Sequence, residues 1–261
     1  MRIPLYHVDA FSKTPFTGNP AAVCPLTGWL GDDVMQAIAA ENNLSETAFF
    51  VPAGEDYDLR WFTPTVEVPL CGHATLAAAY VVLCFLRPAA RQVTFGSKSG
   101  PLRVERAGKK LVMSLPADPP SRAELPAGLT RALGREPSEL WLANYALAVF
   151  DSAEAVASLT PDFPAILAYG RNVIATAPGD SLGKDFVSRF FAPLFGVNED
   201  PVTGSSHCVL MPYWAKRLGR DRLKARQISR RGGDLDCQLD GARVLLAGDC
   251  ALYARGEIVL P

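Results

Sequence analysis

RFFAPLFGVNEDPVTG, Arg189 to Gly204, decides the reading of this 261-residue chain, because RWFTPTVEVPLCG, Arg60 to Gly72, repeats its frame. Both stretches open with Arg, an aromatic residue, Phe, a small residue and Pro, and both close on Pro, two residues and Gly. Alignment on Pro69 and Pro201 sets Glu67 against Glu199, Cys71 against Thr203, Gly72 against Gly204 and His73 against Ser205, with three extra residues in the middle of the second copy. Such repetition predicts two halves of similar architecture. Between them lies LPADPPSRAELPAG, Leu115 to Gly128, rich in Pro and polar residues, which puts the boundary near Pro119 and the domains at 1–118 and 119–261.

Each repeated turn leads from a strand into a helix. Arg60 to Thr63 and Val187 to Phe191 are aromatic and β-branched, and Pro64 and Pro193 end them. After Gly72 comes HATLAAAYVVLCFL, apolar on every side, which predicts a buried helix too short to span a bilayer. After Gly204 comes SSHCVLMPYWAKRLG, with Gly219 as its cap and Pro212 expected to kink or break it. The wrapping comes from short strand-like segments: IPLYHVDAF, AAVC, TAFFVP, DLRWF, QVTFGS, LRVER and KLVMSL in the first half. The expected fold is α+β, a curved sheet around a central helix, once per half.

A net charge of -1 and the absence of basic runs with interleaved aromatics exclude nucleic acid and anionic membranes as expected partners. MRIPLYHVDAF lacks the basic start and apolar stretch of a signal peptide, so a cytoplasmic location is expected. Cys24, Cys71, Cys84, Cys208, Cys237 and Cys250 form no C-x-x-C pair, and reduced thiols are the default.

A buried helix still has unpaired N–H groups and partial positive charge at its start, which suits a small carboxylate. Gly72 and Gly204 allow backbone amides to approach closely, and Ser205, Ser206 and His73 lie beside those starts. Ordinary N-capping is the bland alternative for either copy alone.

VDAFSKTPFTGNPAAV, NLSETAFF, RWFTPTVEVPLCGHAT, SRFFAPLFGVNEDPVTGSSHCVLMPYWAKRLG and QISRRGG, in this order from one terminus to the other, resemble the phenazine-biosynthesis PhzF-like family, related in fold to diaminopimelate epimerase. The resemblance implies two similar domains with the active site between them, a homodimer, and an isomerase-type proton transfer without metal or organic cofactor. It assigns the acid/base to Glu46 of N-L-S-E-T and supporting catalytic roles to His73, Asp200 and Ser205. Asn19 of TGNPAAV is expected to add a polar substrate contact, and Arg230 to Gly233 a turn near the rim.

Epimerases of the related branch carry a Cys at each helix start, where this chain has Cys71 and Thr203. A hydroxyl without an activating partner is a poor acid/base, so inversion by two thiols is not expected. The single-base alternative has Glu46 take a proton from a carbon beside a carbonyl, imine or conjugated system and return it to another carbon on the same face. Cys71 reads either as a second base or as a small buried side chain.

Other chemistries fare poorly. TGSSH lacks the G-x-S-x-G elbow of a serine hydrolase, Cys71 with His73 and His207 with Cys208 match no common zinc spacing, and FGSKSG is a hairpin turn rather than a phosphate loop. The rival from outside enzymology is a non-catalytic, carboxylate-binding or regulatory protein on the same fold. Glu46 discriminates, because a pure binder needs no acid/base beside an anion pocket.

Overall fold

A computed structural model describes residues 1–261, and the strand-like segments named above are strands in it. The first half forms β1 (Arg2–Ala10), β2 (Asn19–Pro25), α1 (Asp32–Asn42), β3 (Glu46–Ala53), β4 (Asp56–Phe62), β5 (Glu67–Val68), α2 (Gly72–Val81), β6 (Gln92–Gly96), β7 (Leu102–Ala107) and β8 (Lys110–Pro116). The second forms β9 (Ser121–Ala123), α3 (Ala127–Leu133), β10 (Glu139–Leu142), β11 (Ala146–Val149), α4 (Ala153–Ala157), α5 (Phe163–Tyr169) and β12 (Val173–Pro178). It continues through β13 (Phe186–Ala192), β14 (Val197–Asp200), α6 (Gly204–Leu218), β15 (Arg222–Gln227), β16 (Gly233–Asp240) and β17 (Arg243–Gly248), and β18 (Cys250–Val259) ends the chain.

The pairings repeat in order. In the first unit β1–β2 is antiparallel, β2–β3 parallel, β3–β4 and β4–β5 antiparallel, β4–β6 parallel and β6–β7 antiparallel. In the second, β10–β11, β11–β12, β12–β13, β13–β14, β13–β15 and β15–β16 follow the same sequence of directions. Side chains repeat too. Arg60 grips Glu67 through two bonds of 2.8 and 3.0 Å and lies over the Phe62 ring, and Arg189 grips Glu199 at 2.7 and 2.8 Å over Phe191. A forked guanidinium against a carboxylate fixes orientation as well as charge, and here it ties β4 to β5 and β13 to β14.

The units are Met1–Ser114 with Ala247–Pro261, and Leu115–Leu246. The first division falls just before the expected Pro119. The C-terminal residues, read from sequence as part of the second half, pack in the first, because β18 pairs antiparallel with β1 from Arg2↔Val259 to Ala10↔Cys250. In the second unit β9 holds the matching place beside β10.

The helix α2 carries eight buried side chains and packs against β1, β2, β3, β7 and β18. Its lack of a polar face is the reason it sits inside a sheet rather than on one. Its regular α-turns stop at Val81, and Val82–Leu86 forms a wider turn closed by Arg87 N–H donating to Val82 O. In α1, Met35, Ile38 and Ala39 face the sheet and join Phe49 and Phe62 in a separate core.

Pro212 does not break α6, which runs unbroken from Gly204 to Leu218. The missing Pro212 N–H would have served Cys208 O, and the Asp118 N–H donates to that oxygen at 3.0 Å instead. No helix is long and apolar enough to cross a membrane.

Candidate active site

Glu46 is the first residue of β3, where it pairs with Ala21 of β2. His73 is the second residue of α2, and its Nε2 lies 3.1 Å from Glu46 Oε2, with side chains 5% and 16% exposed. This contact is one of charge and distance, since neither atom has a well-angled hydrogen bond. The other ring nitrogen, Nδ1, has Asn19 Nδ2 at 3.0 Å and Cys71 Sγ at 3.5 Å. Glu46, His73, Cys71 and Asn19 thus form one buried cluster in the first unit.

Electrostatics orders the protons. Burial, and then the Glu46 charge, push the Cys71 thiol up to about 11, so it is protonated at neutral pH. Burial works against a charged His73, but Cys71 and Glu46 outweigh it and hold the ring well above its ordinary value.

Glu46, Cys71 and His73 are also metal-ligand types, with one donor atom each within 4.8 Å of one another. Carboxylate and thiol meet opposite nitrogens of the ring, so an ion bound to either nitrogen has only one of them beside it unless the ring turns. Without such a turn the three donors do not converge on one ion.

The second unit presents its turn differently. Thr203 Oγ1 donates to Asp200 Oδ2, and Thr203 N–H donates to Gln227 Oε1 at 2.9 Å. Gln227 Nε2 returns a bond to Asp200 O at 2.7 Å, so Gln227, given no role from sequence, holds the whole turn. Ser205 and Tyr145 hydroxyls are 3.1 Å apart. Ser206, expected beside substrate, is fully buried and donates to Thr203 O at 2.9 Å. His207 Nδ1–H donates to the same oxygen at 2.7 Å, as the Thr75 hydroxyl does to Cys71 O at 2.6 Å in α2. Burial pulls His207 down to about 4, leaving it neutral.

The bland capping reading does not describe these turns: neither α2 nor α6 has a side-chain bond from its N-cap residue, Cys71 or Thr203. The repeat also sets Glu46 apart. Thr47 pairs with Phe62 as Val173 pairs with Phe191, so Asn172 stands where the first unit has Glu46. Conversely Val68 pairs with Trp61 where Asp200 pairs with Phe190.

Tyr145 and Gln227 went unread in the sequence. Gln227 stands in QISRRGG, and Tyr145 carries no motif that could have signalled it.

Known proteins share this architecture throughout. The family model for phenazine biosynthesis-like proteins matches residues 8–256. An uncharacterized isomerase of Pseudomonas aeruginosa is 52% identical over 262 residues, covering 100% of each chain. The crystal structure of a PhzF-family phenazine biosynthesis protein from Enterococcus faecalis superposes with a TM-score of 0.97, at 47% identity and 100% coverage of both chains. A hydroxyproline epimerase from Agrobacterium vitis, at 11% identity and TM-score 0.58 over 98% of this chain and 91% of its own, shares the fold alone.

Doubled mixed sheets, each around a central helix, and relatives of this kind define the chain as an isomerase of diaminopimelate epimerase-like fold. It belongs to the phenazine biosynthesis-like, or PhzC-PhzF, family.

Proposed function

We propose that the chain is a cofactor-independent isomerase that moves a proton along one face of a small carboxylate-bearing metabolite, with Glu46 as general acid and base. The observation that carries this is the buried Glu46–His73 contact at 3.1 Å, whose carboxylate is replaced by the Asn172 amide in the second unit. Glu46 takes the proton from a carbon made acidic by an adjacent carbonyl, imine or conjugated system. The C–H electrons delocalise into that system, and the same carboxyl returns the proton to another carbon.

His73 Nε2 stands beside Oε2 of the carboxylate that begins the cycle, which leaves Oε1 for the substrate. Cys71 stands on the same small cluster, within 4.8 Å of the other donors, and is protonated at neutral pH. Two groups flanking a carbon from opposite faces need more room than that, which supports transfer on one face over inversion. First-turn N–H groups of α2, from Gly72 on, offer donors for carboxylate beside Glu46 in the first unit. Roles for Asp200 and Ser205 in the same turnover rest on the family resemblance, as does a homodimer.

The test is deuterium incorporation from heavy water into cyclic dienes, amino acids and hydroxy acids bearing a carboxylate, with wild type and Glu46→Gln compared. Exchange by wild type only supports the reading. Exchange that survives Glu46→Gln and disappears in Cys71→Ala overturns the assignment of the base, and binding of a panel member without exchange favours a ligand-binding protein. Asp200→Asn and Ser205→Ala report on the second turn, and light scattering reports on the dimer.

A further inference from the structure

We propose that Asn19 is a positioning residue that holds His73 by Nδ1 and so keeps Nε2 turned to Glu46 through the reaction cycle. The inference deepens the Glu46 reading and gives Asn19 a role other than the substrate contact expected from sequence. Asn19 opens β2, is 0% exposed, and places its amide nitrogen 3.0 Å from His73 Nδ1 across 54 residues of chain. A buried side chain in that place is spent on the protein.

The choice of an amide has a chemical reason. Asn offers a donor and an acceptor on one planar group. Its NH2 donates to a bare Nδ1 when the ring is neutral, and after an amide flip its carbonyl accepts from Nδ1–H when the ring is charged. In both states Nε2 keeps its hydrogen and its place beside Glu46 Oε2, and His73 can change charge without turning over. Aspartate could serve only the protonated Nδ1, and alanine neither state. The other titratable groups on this ring are Glu46, which meets the other nitrogen, and Cys71, whose sulfur at 3.5 Å is only a weak donor and acceptor.

The backbone that delivers Asn19 is held under constraint. Phe11 and Phe16, in the loop between β1 and β2, have φ of 59° and 74°, values that bulky residues rarely adopt. The Phe16 N–H donates to the buried Asp9 carboxylate at 2.9 Å, which helps hold the loop in place.

In the second unit the second residue of α6, Ser205, is met by Tyr145, which by strand register stands at the place of Ala21 rather than of Asn19.

The chain has three histidines, His7, His73 and His207, so the ring nitrogens of a protein carrying 15N-histidine give a spectrum simple enough to assign. Wild type, Asn19→Ala and Asn19→Asp are compared by 15N–1H correlation through a pH series. His207, held by Thr203 O in the other unit, reports on the fold. Expected is a fixed pattern for His73 in wild type, averaging of its two ring nitrogens in Asn19→Ala, and in Asn19→Asp a proton fixed on Nδ1 with the midpoint raised by roughly one unit or more.

His73 signals that match wild type in both variants, with His207 unchanged, overturn the proposal. Should Asn19→Ala fail to fold, the nearly isosteric Asn19→Asp decides alone. The readout needs no turnover, so its failure is separate from survival of exchange in Glu46→Gln, which would sink the Glu46 reading instead.

Discussion

Gly18→Ala tests how tightly the fold fixes the start of β2, and a matched control separates its two costs. Gly18 has φ +73, and a Cβ there would meet Ala10 O of β1 at 2.2 Å and Ser12 Cβ at 2.8 Å. A side chain in the left-handed region costs about 1–2 kcal/mol. The contact with a backbone oxygen has no flexible end to move aside, so strands must shift, adding about 1–3 kcal/mol as in other overpacked sites. The expected loss is about 2–5 kcal/mol, within the roughly 5–15 kcal/mol of a typical domain, so the variant still folds at 25 °C. Gly170, at φ +79 with open space for 4 Å around the place a Cβ would take, shares only the first cost, and Gly170→Ala should lose about 1–2 kcal/mol. Urea unfolding gives both values, and the difference isolates the steric part. Because Asn19 follows directly, Gly18→Ala should also disturb the His73 ring signals and Gly170→Ala should not. Equal losses in the two variants, or a loss below about 1 kcal/mol at Gly18, would refute the reasoning.

Three further outcomes are expected. The Arg60 bond, helped by Lys98 against the effect of burial, holds Glu67 down to about 2, so its stabilisation is complete above the unfolded value near 4.3 and is lost as pH falls toward 2. Arg60→Ala should therefore lose about 1–2 kcal/mol at pH 7 in urea titrations, with the gap to wild type closing between about pH 5 and 2. Cys71, buried and pushed up to about 11, should resist alkylation in the folded protein at neutral pH, and Cys71→Ala should keep Glu46-dependent exchange within about threefold; a larger loss would make the thiol part of the chemistry. Thr176 accepts from the Trp214 indole at 3.0 Å and donates to Val187 O at 2.6 Å, so Thr176→Val should cost about 1–3 kcal/mol by urea unfolding, through an indole N–H left without a partner.

Much of this molecule is legible along the chain because it depends on near neighbours in sequence. Period-two burial in β7 and β8, the all-apolar face of α2, and the two Arg-aromatic-Phe turns are local patterns, and their repetition carried the doubled fold. Glu46, His73, Asp200 and Ser205 are singled out by the family resemblance, and the structure brings Glu46 and His73 together at 3.1 Å. What needed three dimensions is every pairing whose partner lies far off in the chain. β18 joins β1 rather than the half that precedes it, Asn19 serves His73 across 54 residues, Tyr145 meets Ser205 across 60, and Asp118 supplies the bond that Pro212 denies to α6. Composition and spacing show which groups have polar atoms to satisfy. Which partners satisfy them is decided only when the sheets close, because burial removes water as the alternative and leaves each group to whatever donor or acceptor the packed chain sets beside it.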